Sequence, residues 1–596
     1  MPPSPPGRDD ERVPGLLATV DAVLAPVFEQ LQPGAQSGLR PSQRADLQVD
    51  GALGLARALG RPPREVAEDI LARAWAAGLE AICDGAEVAG PGFINLVLSA
   101  DFLARQLGSV ASGPADLSVA RAPRPLTVVV DYAAPNAAKE MHVGHLRSAI
   151  IGDCLVRLLE LEGHKVIREN HIGDWGTPFG MLIEHLVDVG EEEAAHELAI
   201  GDLEAFYQAA RRAYDGDPAF GERSRQRVVL LQSGDPETLR LWRSFVDHSV
   251  NYFDLSLRRL GTKLTRDDVV GESYYNSLLP KVVEDLSKKG LLVESEGALC
   301  VFPPGFTNRE GTPLPLIVQN SVGGYNYATT DLAAIRDRVE RLGANLLVYV
   351  VGLPQALHFE MVFATARLAG WLTPGTEAVH VGFGNVLGPD GKMFRTRQGG
   401  TVKLAELLDE AVQRARDVIA GRSDQDQLPT AELEETARAV GIGAVKYADL
   451  STDRTRDYRF DWDRMLSFDG NTGPYIQYAY ARTCSIFRRA GQDVPPLAQV
   501  ADDVRPPVAP EERELAKGIL GFGDVIVSTR DTYSPHKLCG YLFELASTFT
   551  AFYEHCPVLG APDASTRASR LALCALCAAV LSRGLDLLGM ESPTRM

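Results

Sequence analysis

The sequence predicts an α/β fold in three parts: a parallel sheet flanked by helices, an α/β domain before it and an all-helical bundle after it. The parallel sheet is indicated by a β-branched apolar run at 126–131, a loop of small residues and then apolar residues at helical spacing, which together open a βαβ unit. A stretch rich in Pro, Ala and Ser at 112–125 separates this part from the first domain. From about residue 432 the pattern is helical to the end, which predicts the bundle.

Composition is typical of a soluble protein, and we expect a cytoplasmic one. The 596 residues suffice for three or four domains, and 45% apolar with 23% charged residues is ordinary for a globular chain. The formal net charge of −19 argues against a general nucleic-acid coat. We expect a disordered tail at 1–12, because it is Pro-rich and lacks the apolar core of a signal peptide. We expect no membrane span, because we find no run of about 18 apolar residues.

The eight cysteines are scattered singly, apart from Cys574 and Cys577 in an Ala/Leu-rich helical pattern. One CxxC pair without a second pair is a poor zinc site. We therefore expect reduced, buried thiols and no metal site formed by the protein.

The loop after the first central strand carries residues suited to phosphate chemistry. It places Lys139, His142 and His145 at the start of a helix, where unpaired N–H groups and the helix dipole favour anions. Both histidines can donate hydrogen bonds to phosphate oxygens as charge builds, and losing such a donor typically lowers a rate by about 10²–10³. Gly144 has no side chain, so an adenine ring can lie against its backbone. The alternative is a pair of solvent-facing histidines at a helix start.

Further along, polar residues again follow strands. Tyr327 and Asp331 lie in a loop that enters a helix, and Asp331 is also a plausible helix cap. Gln355 follows a buried strand at 345–352 and precedes the next helix. A strand at Ala378–Leu387 then leads to a basic loop between glycines, which contains Lys392 and Arg395 and suits a mobile clamp for phosphates.

His142-Val-Gly-His145 resembles the His-Ile-Gly-His motif of class I aminoacyl-tRNA synthetases, and the string Ala134–Ser148 resembles the arginyl-tRNA synthetase family in particular. The string at 172–180, the Tyr327 and Asp331 segment and the helical C-terminal region are also similar to that family. The resemblance implies a Rossmann-type catalytic domain and a division of the chain into domains. These are an N-terminal α/β domain at 13–111 that binds the tRNA D-loop, the catalytic domain at 125–405 with a helical insertion at about 181–295, and a linker with an anticodon-binding helical domain at 406–596.

The activity that the resemblance implies is a ligase of the arginine–tRNA type. It would activate arginine with ATP, with Mg²⁺ on the phosphates, to give arginyl-adenylate, and would then transfer arginine to the 3′ end of tRNA(Arg). Members of the family usually need bound tRNA before they activate arginine, and we expect the same here. We expect a monomer.

The resemblance also implies roles for individual residues. The residues expected to act in catalysis are His142, His145, Lys139, Lys392 and Arg395. ATP would be bound by His142, Gly144, His145, Lys392 and Arg395. Arginine would be bound by Asp131, Asn136, His145, Tyr327, Asp331 and Gln355. The tRNA would be contacted by Phe93, Asn95, Tyr475, Tyr478, Tyr553 and Met596.

This chain departs from the family at Arg395, where a lysine usually stands. Arginine keeps the charge but changes its shape, and Lys139 matches the lysine thought to compensate in such members. The aromatic residues of the C-terminal region also have a simpler explanation, because a stripe at helical spacing is often core. Two rival functions stay open: a non-catalytic tRNA-binding paralogue, and a biosynthetic nucleotidyltransferase of the same superfamily. A second-copy synthetase would have the same sequence features.

Overall fold

The computed structural model describes residues 15–42, 44–113, 117, 119–137, 139–190, 203–388, 390–392, 394, 402–421 and 428–596. Two expectations, the disordered tail at 1–12 and the phosphate contact of Arg395, lie outside the described residues.

The N-terminal domain is an antiparallel sheet covered by helices. Its strands pair in the order β1-β2-β4-β3, and their bounds are β1 Leu39–Pro41, β2 Leu47–Val49, β3 Cys83–Ala89 and β4 Phe93–Leu98. Its helices are α1 Leu16–Leu31, α2 Gly51–Leu59, α3 Pro63–Ala76 and α4 Ala100–Ser112. The domain contacts the C-terminal bundle through Asp46, whose carboxylate pairs with Arg513 at 2.5 Å and with Lys517 at 2.7 Å.

The catalytic region is built on a five-stranded parallel sheet. The strands are β5 Thr127–Asp131, β6 Lys165–Ile172, β7 Val269–Gly271, β11 Leu346–Tyr349 and β12 Glu377–His380. Their order is β12-β11-β5-β6-β7, so the connections run outward in both directions from β5. Asp131 and Tyr349 end the two strands at the same level. In such sheets ligands bind in the crevice outside the carboxyl ends at this reversal of strand order.

Helices cover both faces of this sheet, as parallel strands require. Val128 and Val130 of β5 face one hydrophobic core and Val129 faces the other. The helices around the sheet are α5 Val143–Leu161, α10 Leu279–Lys288, α11 Tyr327–Glu340 and α12 Ala356–Leu368. A small antiparallel sheet is formed by β8 Val293–Ser295, β9 Ala298–Val301 and β10 Leu316–Gln319.

The insertion after β6 is helical and has its own core. Its helices are α6 Thr177–Val189, α7 Leu203–Gly216, α8 Pro218–Ser233 and α9 Pro236–Arg259. The core contains Phe179, Phe206 and Phe245, whose rings contact one another. The insertion is therefore a folded unit attached to the edge of the sheet that carries β7.

The C-terminal region is a helical bundle packed against the catalytic region. Its helices are α13 Leu404–Gly421, α14 Thr430–Leu450, α15 Trp462–Met465, α16 Gly473–Arg489, α17 Pro510–Leu520, α18 Phe522–Thr532, α19 His536–His555 and α20 Ala564–Leu587. A parallel pair, β13 Val386–Leu387 and β14 Tyr458–Arg459, joins the two regions. Helix α5 lies between the sheet and α13, α14, α18 and α20, so it belongs to both regions.

One expectation from the sequence is wrong in detail. The strand expected at Ala378–Leu387 is interrupted between β12 and β13, where Gly382 and Gly384 bring the chain against other segments. A Cβ on Gly384 would lie 2.7 Å from the backbone of Arg456. Helix α20 is the one described helix that is long and apolar enough to cross a membrane by length and composition alone. It lies inside the bundle, and 61% of its apolar window is buried.

The cysteines are placed as expected. All eight are buried and unpaired.

A buried ion pair ties α5 to the bundle. Arg147 Nε lies 3.1 Å from Asp449 Oδ2, and the two side chains are 1% and 0% exposed. Burial raises the pKa of Asp449 to about 6, with Arg147 acting in the opposite direction. Breaking a buried pair from one side leaves an uncompensated charge.

We expect Asp449→Asn to lower the free energy of unfolding by about 3–5 kcal/mol, because Arg147 then remains buried without its counter-charge. The measurement is urea unfolding followed by circular dichroism. The matched control is Asp215→Asn, which breaks an exposed pair with Arg211 and is expected to change stability by less than about 1 kcal/mol. Equal unfolding curves for the two variants would contradict the assignment.

Candidate active site

The loop after β5 has a strained backbone that is fixed by hydrogen bonds from three elements. Ala133 and Ala134 have φ angles of 73° and 45°, a left-handed conformation that alanine rarely adopts. The Ala133 N–H donates to Ser148 Oγ of α5 at 2.9 Å, and the Ala134 N–H donates to Asn170 Oδ1 of β6 at 3.0 Å. The Ser148 hydroxyl donates to the Val350 carbonyl after β11 at 2.6 Å. The loop is therefore held in one conformation at the switch point.

The two histidines cap the start of α5 reciprocally. His142 Nδ1 accepts from the Gly144 N–H at 3.0 Å, and His145 Nδ1 accepts from the His142 N–H at 3.0 Å. A nitrogen that accepts a hydrogen bond carries no proton, so each neutral ring carries its proton on Nε2. Burial, followed by the neighbouring His142, lowers the pKa of His145 to about 3, which keeps it neutral at pH 7. The rings lie 4.0 Å apart, so the site holds two neighbouring Nε2–H donors.

Gly144 is required by this cap as well as by the expected adenine contact. A Cβ at this position would lie 2.7 Å from His142 Cε1, closer than real contacts allow. Gly144 is also exposed, so its backbone is open to a ligand.

The predicted phosphate-binding loop is flanked by segments that backbone hydrogen bonds fix. Its first part forms a turn in which the Gly388 N–H donates to the Lys392 carbonyl at 2.7 Å, and the Lys392 side chain is exposed. After the loop, the Leu404 N–H donates to the Met141 carbonyl at 2.9 Å, and the Val143 N–H donates to the Val402 carbonyl at 3.1 Å. The segment that follows the loop is therefore held beside the start of α5.

Lys139 is positioned by the insertion. Its Nζ lies 4.8 Å from the centre of the Tyr207 ring on α7, a cation–π contact that leaves the charge close to the loop after β5. The insertion thus contributes to the site, which the sequence did not indicate.

Three residues expected to bind arginine lie around the start of α11 and α12. Tyr327 and Asp331 are one turn apart on α11, and Gln355 is exposed at the start of α12. Asp331 Oδ2 lies 2.6 Å from His358 Nε2, and the His358 ring lies edge-on to Tyr327 at 4.8 Å. His358 was not among the pocket residues predicted from the sequence. Its position, three residues after Gln355 in a helix, was the available signal.

Asp131 has a different partner from the one expected. Its Oδ2 accepts from Arg338 at 2.7 Å, and Arg338 also donates to Glu169 at 2.7 Å. Arg338 is 1% exposed and lies 5.1 Å from the centre of the Tyr349 ring. The expected contact of Asp131 with the substrate guanidinium stays a prediction, and an internal guanidinium already shares the charge of this carboxylate.

A further acidic group lies beside the pocket. Glu272 is in a 3₁₀ turn at Glu272–Tyr275 that packs against α11. Burial, followed by the charges of Asp174 and Asp331, raises the pKa of Glu272 to about 7. The sequence did not indicate this residue, because Asp174, Glu272 and Asp331 come from three distant segments. Together they favour a cationic ligand.

Asn136 lies where the loop meets the Gly-rich segment after β6. It forms a parallel bridge with Gly173, and a Cβ on Gly173 would lie 2.1 Å from Asn136 Oδ1. The Asn136 residue is exposed, so it faces the crevice side of the loop rather than the core.

Comparison with known proteins decides the family. The model described as "tRNA synthetases class I (R), catalytic domain" matches residues 115–462. The chain belongs to the arginyl-tRNA synthetase family. The models "Arginyl tRNA synthetase N terminal domain" and "DALR anticodon binding domain" match residues 18–98 and 476–596.

Relatives of this arginyl-tRNA synthetase family cover the whole chain. The arginine–tRNA ligase of Thermobifida fusca is 52% identical over 97% of this chain and 98% of that protein. The arginine–tRNA ligase of Streptomyces avermitilis is 47% identical over 98% and 100% of the two chains. The solved arginyl-tRNA synthetases of Plasmodium falciparum and Thermus thermophilus have TM-scores of 0.82 and 0.80, at 29% and 26% identity, and each comparison covers 98% of this chain and 100% of that chain.

In the family's N-terminal domain, only one of the two expected tRNA contacts is accessible. Phe93 begins β4 and is half-buried, so its ring is partly exposed. Asn95 is 5% exposed, its Oδ1 accepts from Gln48 at 2.8 Å and its amide donates to Glu87 at 3.4 Å. Both ends of the amide are therefore used within the sheet, and the expected base contact of Asn95 stays a prediction.

In the anticodon-binding region, two of the residues expected to contact tRNA, Tyr478 and Tyr553, both contact Arg482. The Arg482 guanidinium lies 4.9 Å from the centre of the Tyr478 ring and 5.5 Å from that of Tyr553. This stack of two aromatic rings and a cation, partly exposed, suits the binding of unpaired bases. Arg482 was not among the residues predicted from the sequence to contact tRNA.

The two remaining expected contacts pack more deeply in the same region. Tyr475 contacts Phe543, with ring centres 5.5 Å apart. Met596 packs against a small core between α13 and α14. Both residues are half-buried, so each has a part of its side chain on the surface.

The position of Glu272 leads to an expectation about pH. A bound guanidinium favours the Glu272 carboxylate, so arginine binding must release a proton wherever Glu272 is protonated in the free protein. We expect arginine affinity to rise as the pH increases from about 5.5 to about 7 and to level off above that. Calorimetric titration with arginine across this range measures it.

The control for this experiment is a pair of variants. Glu272→Gln should flatten the dependence, whereas Glu284→Gln, at an exposed position on α10, should keep it. A pH profile unchanged in Glu272→Gln would contradict the placement of Glu272 at the pocket.

Proposed function

We propose that this protein joins arginine to tRNA(Arg) in two steps. The arginine carboxylate attacks the α-phosphorus of ATP and pyrophosphate leaves, which gives arginyl-adenylate. A hydroxyl of the terminal tRNA ribose then attacks the activated carbonyl, and AMP leaves. The observation that carries the proposal is the reciprocal cap of His142 and His145, because Nδ1 of each ring accepts a backbone N–H, so each neutral ring carries its proton on Nε2, and an Nε2–H can donate to phosphate oxygens.

The residues at the crevice support a division of labour. Lys139, Lys392 and Arg395 would bind phosphates, and Gly144 would leave room for the nucleotide. The fit to ATP is supported by the exposed helix start at Gly144, which offers backbone donors to an anion. Mg²⁺ would accompany the phosphates and reduce their charge, and we assign it no protein ligand.

Arginine would be held by Tyr327, Asp331, Gln355, Asn136, His145 and Asp131. A guanidinium has five donors in a plane, and Asp331 with Glu272 can accept from it while Tyr327 covers its face. Lysine cannot satisfy a planar set of acceptors, and leaving buried acceptors unpaired can lower a rate by about 10⁴–10⁵. The pocket therefore supports arginine over lysine without a separate editing step.

The tRNA would be contacted at both ends of the chain, by Phe93 and Asn95 in the N-terminal domain and by Tyr475, Tyr478, Tyr553 and Met596 in the bundle. We propose that bound tRNA is needed before arginine is activated, and that the protein acts as a cytoplasmic monomer. The location of α5 supports the first point, since this helix carries His145 and packs against four helices of the bundle.

The test is exchange of label between pyrophosphate and ATP, with each amino acid in turn and with or without tRNA(Arg). We expect exchange with arginine and tRNA together. His145→Ala should lower the rate by about 10²–10³, because one donor to the reacting phosphate is lost. His248→Ala, at an exposed histidine of α9, is the control and should keep the rate.

Two outcomes would contradict the proposal. Equal exchange with lysine and arginine would contradict the assignment of the arginine-binding residues. A wild-type rate in His145→Ala would remove the catalytic one, and would favour the tRNA-binding paralogue.

A further inference from the structure

A cationic cavity lies between the active site and the bundle, apart from the residues discussed so far. Its volume is about 390 Å³, and it is lined by α14, by the segment around β14 and by the start of α16. Arg456, Arg459 and Arg464 all line it, and all three are exposed. Within the described part of the chain, none of the three guanidinium groups has an ion-pair partner.

The two acidic residues of the cavity, Asp457 and Asp461, are outnumbered by its three arginines, and one oxygen of each aspartate accepts backbone hydrogen bonds. Asp457 Oδ1 accepts from the Asn385 N–H at 2.5 Å. Asp461 Oδ1 caps α15, accepting from the N–H groups of Asp463 and Arg464 at 3.0 and 3.2 Å. Asn471 uses its Oδ1 to accept from the Tyr447 hydroxyl at 2.5 Å, which turns its acceptor inward. The cavity therefore favours an anion.

The chemistry of this cavity suits phosphodiester groups. A guanidinium binds phosphate in a bidentate manner, and three of them around one cavity match adjacent phosphates of a nucleic-acid backbone. The chain as a whole carries a net charge of −19, so a local group of unpaired cations is a specific feature rather than a general property of the surface. The cavity also adjoins the start of α16, the helix that carries Tyr478 and Arg482.

The same segment contacts both parts of the ATP site. Arg459 lies against the turn that contains Lys392, since a Cβ on Gly391 would lie 3.3 Å from Arg459 Nη2. The next residue, Phe460, stacks on Phe394 with ring centres 4.6 Å apart. On the other side, Arg147 of α5 donates to the Arg456 carbonyl at 3.0 Å.

We propose that Arg456, Arg459 and Arg464 bind backbone phosphates of the tRNA, and that Arg459 and Phe460 position the Lys392 turn for ATP when the cavity is occupied. This inference rests on the proposed function and adds a tRNA site to it. Arg456 and Arg464 contribute affinity, while Arg459 is in addition a positioning residue. Phosphate at Arg459 fixes a side chain that touches the ATP loop, and this gives tRNA a direct physical route to the first chemical step.

The test of binding is the salt dependence of tRNA(Arg) affinity, measured with the full chain by filter binding or fluorescence anisotropy. Each phosphate contact contributes about 0.7–0.9 to the slope of log affinity against log salt. For Arg456→Gln/Arg464→Gln we expect a slope smaller by about 1.4–1.8 and an affinity at least about tenfold lower at moderate salt. Arg367→Gln, at an exposed arginine in the last turn of α12, should match the wild type in both.

The test of positioning is the exchange assay at saturating tRNA. Arg459→Gln should raise the KM for ATP several-fold and leave the KM for arginine unchanged, whereas Arg456→Gln/Arg464→Gln should leave both unchanged. A purely structural role would lower activity without this difference between substrates. Thermal unfolding of the variants should match the wild type, since the three side chains are exposed.

Several outcomes would overturn the inference. One is an unchanged salt slope in Arg456→Gln/Arg464→Gln. Another is displacement of labelled tRNA by inorganic phosphate as effective as displacement by unlabelled tRNA. The third is an unchanged KM for ATP in Arg459→Gln. If wild-type protein supports arginine-dependent exchange but the slope is unchanged, this inference fails alone. If wild-type protein shows no exchange, the proposed function fails.

Discussion

The reciprocal hydrogen bonds of His142 and His145 with the first turn of α5 determine the chemistry of the site. Each ring uses Nδ1 to satisfy a backbone N–H that a helix start otherwise leaves unpaired. The local need of the helix thus places the proton of each neutral ring on Nε2. The constraint depends in turn on the loop after β5, whose strained Ala133 and Ala134 are held by Ser148 and Asn170.

Helix α5 also explains why distant parts of the protein can affect this site. Most of its residues are buried, and they pack against the sheet and the bundle at once. Arg147 joins it to Asp449 of the bundle. Asp153 accepts from Arg157 at 2.8 Å, and Arg157 also pairs with Asp586 of α20. Nearby, burial lowers the pKa of the Lys446 ammonium to about 8, while Lys446 donates to the carbonyls of Leu260 and Gly589 at 2.7 and 2.6 Å. The insertion, the bundle and the catalytic helix therefore share one buried junction.

The sequence predicted the features that depend on local pattern. The helical pattern expected from about residue 432 is present in α14 Thr430–Leu450 and in the helices after it, because the spacing of apolar residues defines a helical face wherever that face packs. The strand–loop–helix unit around His142 was equally clear. The strand expected at Ala378–Leu387 failed, because Gly382 and Gly384 allow close contacts that only the folded chain contains.

Partners that come from distant segments could not be predicted. Asp131 meets Arg338 across 207 residues of chain, so its use as an internal counter-charge leaves no local signal. Asn95 is used by Gln48 of a neighbouring strand. Glu272 and His358 join the pocket only because β7 and β11 bring their segments to the same edge of the sheet.

The central claim is that both histidines present Nε2–H donors because Nδ1 is used by the backbone. It is tested most directly by ¹⁵N NMR of histidine-labelled protein near neutral pH, with signals assigned by their loss in His142→Gln and His145→Gln. The account predicts unprotonated Nδ1 and protonated Nε2 on both rings, and a His145 ring that stays neutral when the pH is lowered to about 5. Protonated Nδ1 on either ring, or a His145 that titrates like a free imidazole, would contradict it.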